Sequence, residues 1–206
     1  MKFYDSIGPN PFVVRMFANE KGIKLPSEKV DLMKGDNRKE PYLKINAMGQ
    51  MPALETDKGQ VISEITAICE YLDELSPNDT LIGKTPEERA ETRMWTRRVD
   101  LNIVEPMANG FRFGEGLALF KDRILTIPEA SAGLKATAQR NLAWLDKQLE
   151  GKKFIAGNRL TLADILLFPF LDFFAGAGQP IPADLKNINA WYAHMKARPS
   201  VAASAG

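Results

Sequence analysis

The fold of this chain is decided by residues 46–65, which read NAMGQMPALETDKGQVISEI. The turn residues Asp57-Lys58-Gly59 separate two short apolar runs, and this pattern predicts a strand, a turn and a second strand. Ser63 suits the N-cap of a following helix, whose apolar residues recur at helical spacing as Ile65, Ile68, Leu72 and Leu75. The segment therefore predicts a loop, two strands and a helix in direct succession.

The residues before this segment complete an α/β pattern. Residues 2–6 alternate as a short strand, and Asn10 followed by Pro11 suits the N-cap and first position of a helix. A further strand is expected at residues 28–32 and a short helix around residues 38–44. The order β-α-β-α-β-β-α over residues 1–77 predicts an α/β domain with a mixed sheet.

The residues after this domain predict helices alone. Thr85-Pro86-Glu87-Glu88 is a capping-box sequence with proline at the first helical position, and Thr161 with Asp164 forms a second start of this kind. Further helices are expected at residues 89–104, where Pro106 breaks the helix, at 130–149 and at 189–198, where Pro199 ends the last one. We therefore expect an all-helical domain over residues 85–206, joined to the first domain by a linker at 78–84.

Composition restricts the possible partners. The chain has 206 residues, of which 45% are hydrophobic and 26% charged, with a formal net charge of +1. This balance is typical of a globular protein and gives no electrostatic reason to expect nucleic acid or an anionic membrane as a partner. The longest apolar stretch, residues 165–174, is much shorter than the ~20 residues that span a bilayer.

Cysteine and histidine usage restricts the chemistry. The chain has one cysteine, Cys69, and one histidine, His194. A single cysteine forms no internal disulfide and no Cys-x-x-Cys motif, which fits a reducing cytosol. A single histidine excludes a multi-histidine metal site and argues against a Ser-His-Asp triad, so we expect no metal. An enzyme with this composition would need a reactive group from a cosubstrate, and a thiol on the cosubstrate would supply one.

Three separated segments together resemble the cytosolic glutathione transferase family. Residues 1–23 contain a Pro9-Asn10-Pro11 helix start that is similar to a bacterial and fungal subgroup. Residues 46–54 resemble the family's Asn-Pro-x-Gly-x-Val-Pro-x-Leu loop, and residues 159–164 resemble its helical-domain capping motif. The resemblance implies a thioredoxin-like N-terminal domain, an all-helical C-terminal domain and glutathione as cosubstrate. It also implies a cytoplasmic homodimer with a role in detoxification.

The resemblance places the thiolate of glutathione at the start of the first helix. Donors and a helix N-terminus aimed at sulfur stabilise the thiolate, which is the nucleophile. Asn10 stands where related proteins contact sulfur, and Ser6 follows the first strand and has a hydroxyl to donate. From the residues alone, Asn10 is also explained as an N-cap, which would leave its NH₂ free to donate to sulfur, and Ser6 as a turn residue. Tyr4 is expected in the core.

The resemblance also implies which residues bind the other parts of glutathione. Met51, before a cis Pro52, would pair with the cysteinyl backbone, and Glu64 would meet the γ-glutamyl ammonium. The Ile65 N–H would meet the γ-glutamyl carboxylate, although the family usually has a serine there and Ile65 offers no hydroxyl. Candidates for the glycyl carboxylate are Gln50, Arg38 and Lys39. From the residues alone, Glu64 complements a helix dipole, and both basic residues fit a solvated surface.

The second substrate is expected in the helical domain. Phe111, Phe113 and Leu117 could line an apolar pocket for an electrophile, although aromatic clusters are more often core. Three functions remain open from the sequence. The first is addition of the glutathione thiolate to an apolar electrophile. The second is glutathione-dependent reduction of disulfides or peroxides, and the third is a binding protein that keeps the fold without the chemistry.

Overall fold

The computed structural model describes residues 1–205 and divides the chain into two compact units. The first, here called the α/β unit, comprises Met1–Ile82 together with the C-terminal residues from Arg198 onward. The second, here called the helical unit, comprises Gly83–Ala197. Within the described residues, no helix is long and apolar enough to cross a membrane.

The α/β unit contains a four-stranded mixed sheet with the strand order β2-β1-β3-β4. β1 pairs parallel with β2 and antiparallel with β3, which pairs antiparallel with β4. Its elements are β1 (Lys2–Asp5), α1 (Pro9–Glu20), β2 (Ser27–Lys29), α2 (Tyr42–Ile45), β3 (Ala53–Glu55), β4 (Val61–Ser63), α3 (Ile65–Leu75) and, after the helical unit, α10 (Pro199–Ser204). The predicted β-α-β-α-β-β-α order is confirmed.

The starts of α1 and α3 differ from the prediction. Gly8, with φ 106°, is the N-cap of α1, so Asn10 lies at the second helical position and the predicted Asn10 cap is wrong. Pro9 and Pro11 both fit a first turn, because neither has an N–H that needs a partner there. Ser63 is the last residue of β4, and Glu64 takes the N-cap of α3, so the predicted Ser63 cap is also wrong.

The segment between β2 and β3 is also divided differently. The helix expected at residues 38–44 is replaced by a 3₁₀ turn at Asp36–Arg38 and the short α2. The peptide bond between Glu40 and Pro41 is cis, and Pro41 occupies the N-cap position of α2. A proline inside this stretch cannot continue the ladder of helical hydrogen bonds, so the helix restarts after it.

The C-terminal helix packs on α1. Arg198 donates two hydrogen bonds to the Glu20 carboxylate, at 2.6 and 2.7 Å, and Asn19 donates to the Ser204 hydroxyl at 2.8 Å. Pro199 was expected to end the last helix; instead it begins α10, as proline at a first helical position does. This helix therefore belongs to the α/β unit, whereas the sequence-based division placed it with the helical domain.

The helical unit consists of α4 (Pro86–Val99), α5 (Glu105–Arg112), α6 (Leu117–Phe120), α7 (Ser131–Gln148), α8 (Leu162–Ala175) and α9 (Lys186–Lys196). Both predicted capping boxes are present, Thr85 with Glu88 and Thr161 with Asp164. The break expected at Pro106 is absent. A π-helical turn at Asp100–Val104 joins α4 to α5, and this wider turn accommodates a proline that lacks an N–H.

A buried carboxylate joins three parts of the helical unit. Asp164 accepts hydrogen bonds from the Ile155 N–H at 2.8 Å and the Trp191 indole at 2.9 Å. Its second oxygen accepts from the Thr161 N–H and hydroxyl, both at 3.0 Å. Burial raises the pKa of Asp164, although these four donors act to lower it. Removing the residue would leave several buried donors without a partner.

Candidate functional site

The sheet register brings three loops of the α/β unit to one end of the sheet. Ala53 pairs with Tyr4 on one side and with Ser63 on the other. Met51 precedes this paired segment by two residues, whereas Ser6 and Ile65 each follow their strand by one or two residues. The residues after β1, before β3 and after β4 therefore lie at the same end of the sheet, here called the edge of the site. Because α1 follows β1 and α3 follows β4, two helix N-termini start there as well.

The main chain of Met51 is open for pairing. The peptide bond between Met51 and Pro52 is cis, as the resemblance implied. Neither the N–H nor the carbonyl of Met51 bonds another residue within the described part of the chain. An extended peptide can form main-chain hydrogen bonds with such groups, as an added strand does.

The loop that carries Met51 is held rigidly by side chains below it. The carbonyl of Gln50 accepts from the Tyr42 hydroxyl at 2.7 Å and from the Asn46 amide at 2.9 Å. The carbonyl of Gly49 accepts from Asn37 at 2.6 Å. A side chain at Gly49, which has φ 61°, would meet the Asn37 carbonyl at 2.8 Å, so only glycine fits. The Gln50 side chain itself is exposed.

The start of α1 has few main-chain donors. Pro9 and Pro11 have no N–H, so of the residues at positions one to three of the helix only Asn10 offers one. The Asn10 side chain is half-buried and makes no hydrogen bond to any residue between 1 and 205. Its amide is therefore available to a ligand. Ser6 is buried, and its hydroxyl makes a long bond of 3.3 Å to the neighbouring Ile7 carbonyl.

Glu64 has an unusual backbone conformation at the start of α3. It is the one residue other than glycine in the described chain with positive φ, at φ 69° and ψ 120°. Such a conformation costs about 1–3 kcal/mol and is concentrated at functional sites. The Glu64 side chain is exposed and bonds nothing in residues 1–205. Its charge is therefore free to meet a cation.

The two basic candidates are engaged in local contacts. Lys39 pairs with Asp36 at 2.8 Å, and both side chains are exposed. Arg38 donates to the Met48 carbonyl at 3.2 Å and packs beside Gly49. Arg38 therefore helps to hold the Asn46–Pro52 loop, with further guanidinium hydrogens left over. Tyr4 is buried and donates to Glu55 at 2.8 Å, so the expectation of a core tyrosine is confirmed.

The aromatic candidates lie in the helical unit. Phe111 packs against Phe120, Phe173 and Phe174, with ring centroids 5.5–6.3 Å apart. Phe113 and Leu117 are half-buried, and Phe113 makes no contact with another aromatic ring in residues 1–205. Phe111 thus belongs to a packed cluster, whereas Phe113 and Leu117 keep accessible apolar surface.

Sequence reasoning missed two residues with unused polar groups. Thr66, at the second position of α3, is half-buried, and its hydroxyl has no partner among residues 1–205. The sequence could have predicted this residue, because a threonine in the first turn of a helix places a hydroxyl near the helix N-terminus. Arg112, beside Phe111 at the end of α5, is also half-buried. That it forms no ion pair within residues 1–205 depends on packing and has no sequence signal.

Comparisons with known proteins identify the family to which this fold belongs. The family model "Glutathione S-transferase, N-terminal domain" matches residues 7–75, and "Glutathione S-transferase, C-terminal domain" matches residues 128–194. Glutathione S-transferase 2 of Saccharomyces cerevisiae is 32% identical over 209 residues, covering 98% of this chain and 88% of the yeast protein.

Solved structures agree as well. Gtt2 of Saccharomyces cerevisiae has a TM-score of 0.90 at 31% identity, covering 99% of this chain and 100% of that one. A glutathione S-transferase domain-containing protein of Marinobacter aquaeolei has a TM-score of 0.90 at 34% identity, covering 98% and 100%.

The chain therefore belongs to the glutathione S-transferase family. It is a glutathione transferase with a thioredoxin-like N-terminal domain and a helical C-terminal domain, and it belongs to a family that uses glutathione as cosubstrate. Among residues 1–205, no cluster of three or more His, Cys, Asp or Glu side chains is arranged to hold a metal ion.

Proposed function

We propose that this transferase adds the thiolate of glutathione to an apolar electrophile, and that the edge of the site, with Ser6, Met51 and Ile65, holds the glutathione. The proposal rests on the strand pairing of the sheet. Within residues 1–205, four groups lie at the same end of it: the unpaired main chain of Met51, the unpaired carboxylate of Glu64 and the N-termini of α1 and α3. These groups complement the peptide bonds, the ammonium and the anionic groups of glutathione respectively.

In this assignment the Met51 N–H and carbonyl pair with the cysteinyl main chain, next to the buried Pro52. Glu64 meets the γ-glutamyl ammonium, and the Ile65 N–H meets the γ-glutamyl carboxylate at the N-terminus of α3. Gln50, Arg38 and Lys39 surround the glycyl carboxylate. The hydroxyl of Thr66 supplies the hydrogen bond that Ile65 lacks, because it is unpaired and lies one residue further into the same turn.

Asn10 and Ser6 then act on the sulfur. The Asn10 main-chain N–H and its unpaired side-chain amide donate to the thiolate at the start of α1, and the Ser6 hydroxyl is the second donor. Stabilising the anion lowers the pKa of the thiol, which is ~8.5 for a free cysteine, and so raises the thiolate fraction at neutral pH. The site needs no general base, because solvent takes the proton.

The electrophile is assigned to the apolar surface of Phe113 and Leu117, with Phe111 supporting it from the packed cluster. In a substitution, the carbon–sulfur bond forms and the leaving group departs with its electron pair. In an addition, solvent returns a proton to the carbon skeleton. We further propose a cytoplasmic homodimer with a role in detoxification, which the family resemblance and the single cysteine support.

The experiment measures glutathione binding by calorimetry and turnover with 1-chloro-2,4-dinitrobenzene, a neutral apolar electrophile. We expect saturable binding, and chloride release that requires glutathione. Thr66→Val should weaken binding by about tenfold or more, the value of one hydrogen bond to a charged group. Thr126→Val, at another half-buried threonine but in the helical unit, is the control. Binding without turnover of this electrophile would contradict the proposed reaction, and an unchanged Kd in Thr66→Val would remove Thr66 from the site.

A further inference from the structure

The last residue of α5, Arg112, is a half-buried cation in aromatic surroundings. Its guanidinium carbon lies 5.9 Å from the centroid of the Phe120 ring. Phe111 contacts the same ring edge-on, with centroids 6.3 Å apart. The charge therefore lies against the aromatic cluster that borders the proposed electrophile surface.

Arg112 has a neutral partner and no ionic one. It donates to the Asn109 amide oxygen at 2.9 Å, and Asn109 in turn donates to the exposed Glu105 carboxylate at 2.7 Å. No carboxylate in residues 1–205 forms an ion pair with Arg112. A guanidinium has five donor hydrogens, so four of them have no protein partner.

Two other half-buried arginines behave differently. Arg15 forms an ion pair with the buried Asp5, and Arg198 forms a two-bond ion pair with Glu20. Both of these residues fasten parts of the α/β unit to each other. Apart from its bond to Asn109 in the same helix and its contact with the Phe120 ring, the Arg112 side chain makes no hydrogen bond, ion pair or ring contact within residues 1–205, so no ion pair accounts for its half-buried charge.

The free donors of Arg112 are still within reach of a ligand. None of its nitrogen atoms is fully buried without a hydrogen-bond partner. Burial lowers the pKa of Arg112, and the distant charge of Glu105 offsets this only in part. A desolvated, unpaired guanidinium that keeps accessible donors is costly for the fold and well suited to a two-oxygen anion.

We propose that Arg112 binds a carboxylate carried by the electrophile, so that the preferred second substrates are apolar, electrophilic carboxylic acids. The inference rests on the proposed function and specifies its substrate class. The aromatic rings contact the apolar body of the substrate, and the guanidinium fork donates two parallel N–H hydrogen bonds to the carboxylate. Asn109 positions the fork by holding one of its nitrogens.

The test compares two electrophiles that differ in charge, 4-chloro-3,5-dinitrobenzoate and its methyl ester. In both, the glutathione thiolate forms a bond to the chlorine-bearing carbon, chloride leaves with the electron pair, and solvent takes the thiol proton. Arg112→Met removes the charge and keeps an apolar side chain of similar length. We expect KM for the carboxylate to rise about tenfold, as for one lost charge-assisted hydrogen bond, with KM for the ester changed less than twofold.

Two further variants sharpen the test. Arg112→Lys keeps the charge without the planar fork and should restore part of the preference for the carboxylate. Arg140→Met removes an exposed arginine from α7 and should leave both substrates unaffected. Arg112→Met should also leave the melting temperature unchanged or raise it, because an unpaired desolvated charge is lost. A lowered melting temperature with an unchanged carboxylate-to-ester ratio would overturn the inference and give Arg112 a structural role.

Binding of the inert product conjugates separates the two proposals. Calorimetry with the glutathione conjugate of the benzoate and with that of its methyl ester needs no turnover. If neither electrophile is consumed, the proposed reaction fails, and a tenfold loss of affinity for the carboxylate conjugate alone in Arg112→Met would still support the anion site. If the ester is consumed and Arg112→Met treats both conjugates alike, the proposed reaction stands and the anion site is refuted.

Discussion

Tyr42 donates its hydroxyl hydrogen to the carbonyl of Gln50 across 2.7 Å. The same oxygen accepts from Asn46, so the residue before Met51 is fixed from two directions. Burial raises the pKa of Tyr42 to about 12, with the Asn46 contact acting in the opposite direction. The phenol therefore stays protonated and keeps this bond throughout the pH range in which a transferase is assayed.

Tyr42→Phe removes this bond and leaves the ring in place. We expect the free energy of unfolding to fall by about 1 kcal/mol, the usual net value of one hydrogen bond. The KM for glutathione should rise a few-fold with kcat unchanged, because the loop positions glutathione alike in ground and transition states. Tyr71→Phe on α3 is the matched control. An unchanged KM in Tyr42→Phe would mean that Asn46 alone holds the loop.

Glu64→Gly should separate the energetic cost of the positive φ at this position from the role of the carboxylate in binding glutathione. Glycine adopts φ 69° without the steric penalty that a side chain incurs, so we expect stability to rise by about 0.5–1 kcal/mol. The KM for glutathione should rise more than kcat falls, because the carboxylate that meets the ammonium is lost. Glu64→Gln, which keeps the backbone cost, should raise KM without the gain in stability. A normal KM in both variants would limit Glu64 to a helix-dipole role.

Glu20 should carry part of the acid sensitivity of the α/β unit. Burial acts to raise its pKa, but the hydrogen bonds from Arg198 and Ser200 and the charge of Arg198 together hold the pKa below its usual range. The unfolded chain therefore binds this proton more readily, and the stabilisation is complete above the unfolded value of ~4.3. It is lost as pH falls through the lower folded pKa.

Glu20→Gln should remove this dependence. Wild type and variant should differ most at neutral pH, by about 1.5–3 kcal/mol for hydrogen bonds to a charged group, and converge as pH falls below ~4. Urea unfolding at a series of pH values measures this difference. Glu91→Gln, at an exposed residue of α4, should follow the wild-type curve. A constant gap at every pH would show that lost packing causes the effect.

Asp164→Asn should destabilise the helical unit strongly. Four donors point at the two carboxylate oxygens, and an amide would turn its NH₂ towards two of them. Leaving buried donors unpaired costs about 1–3 kcal/mol each, so we expect a loss of roughly 2–4 kcal/mol. Chemical denaturation followed by tryptophan fluorescence reports it, because Trp191 bonds the same residue. A loss below ~1 kcal/mol would mean that water satisfies the displaced donors.

The sequence predicted those parts of the fold that local chemistry decides. The capping boxes at Thr85 and Thr161 depend on residues three positions apart, and both are present. The start of α1 was misplaced because Pro9 and Pro11 satisfy the same rule for a first turn, and only the conformation of Gly8 decides between them. The role of Pro199 was misjudged because α10 depends on contacts with α1, far away in sequence.

The features of the candidate site also fall into two groups, those that local sequence predicts and those that depend on the folded structure. Met51, Glu64 and Asn10 were found through motifs that lie within short segments. That the segments containing Ser6, Met51 and Ile65 share one end of the sheet follows from the strand pairing, which a single sequence does not specify when the strands have three or four residues. Arg112 was not predicted, because the lack of an ion pair to its half-buried guanidinium within residues 1–205 depends on packing and not on a local motif.

Asn10→Ala tests how the thiolate is held. The Asn10 side chain makes no capping bond, so stability should change by less than ~0.5 kcal/mol, as for an ordinary surface substitution. The pKa of the thiol of bound glutathione should rise by about 1, because one donor to a charged group is lost. Turnover should slow near neutral pH and recover in part as pH rises, since solvent then removes the proton.

Ultraviolet titration of the thiolate in the glutathione complex measures this pKa directly, and Ser6→Ala is the matched variant. Ser6 is buried, and within residues 1–205 its hydroxyl makes only the long contact to the Ile7 carbonyl, so this substitution should raise the pKa less than Asn10→Ala does. A raised pKa in Ser6→Ala with no change in Asn10→Ala would transfer the role to Ser6. If neither variant shifts the pKa, the main-chain N–H of Asn10 is left as the donor, since Pro9 and Pro11 on either side of it have none.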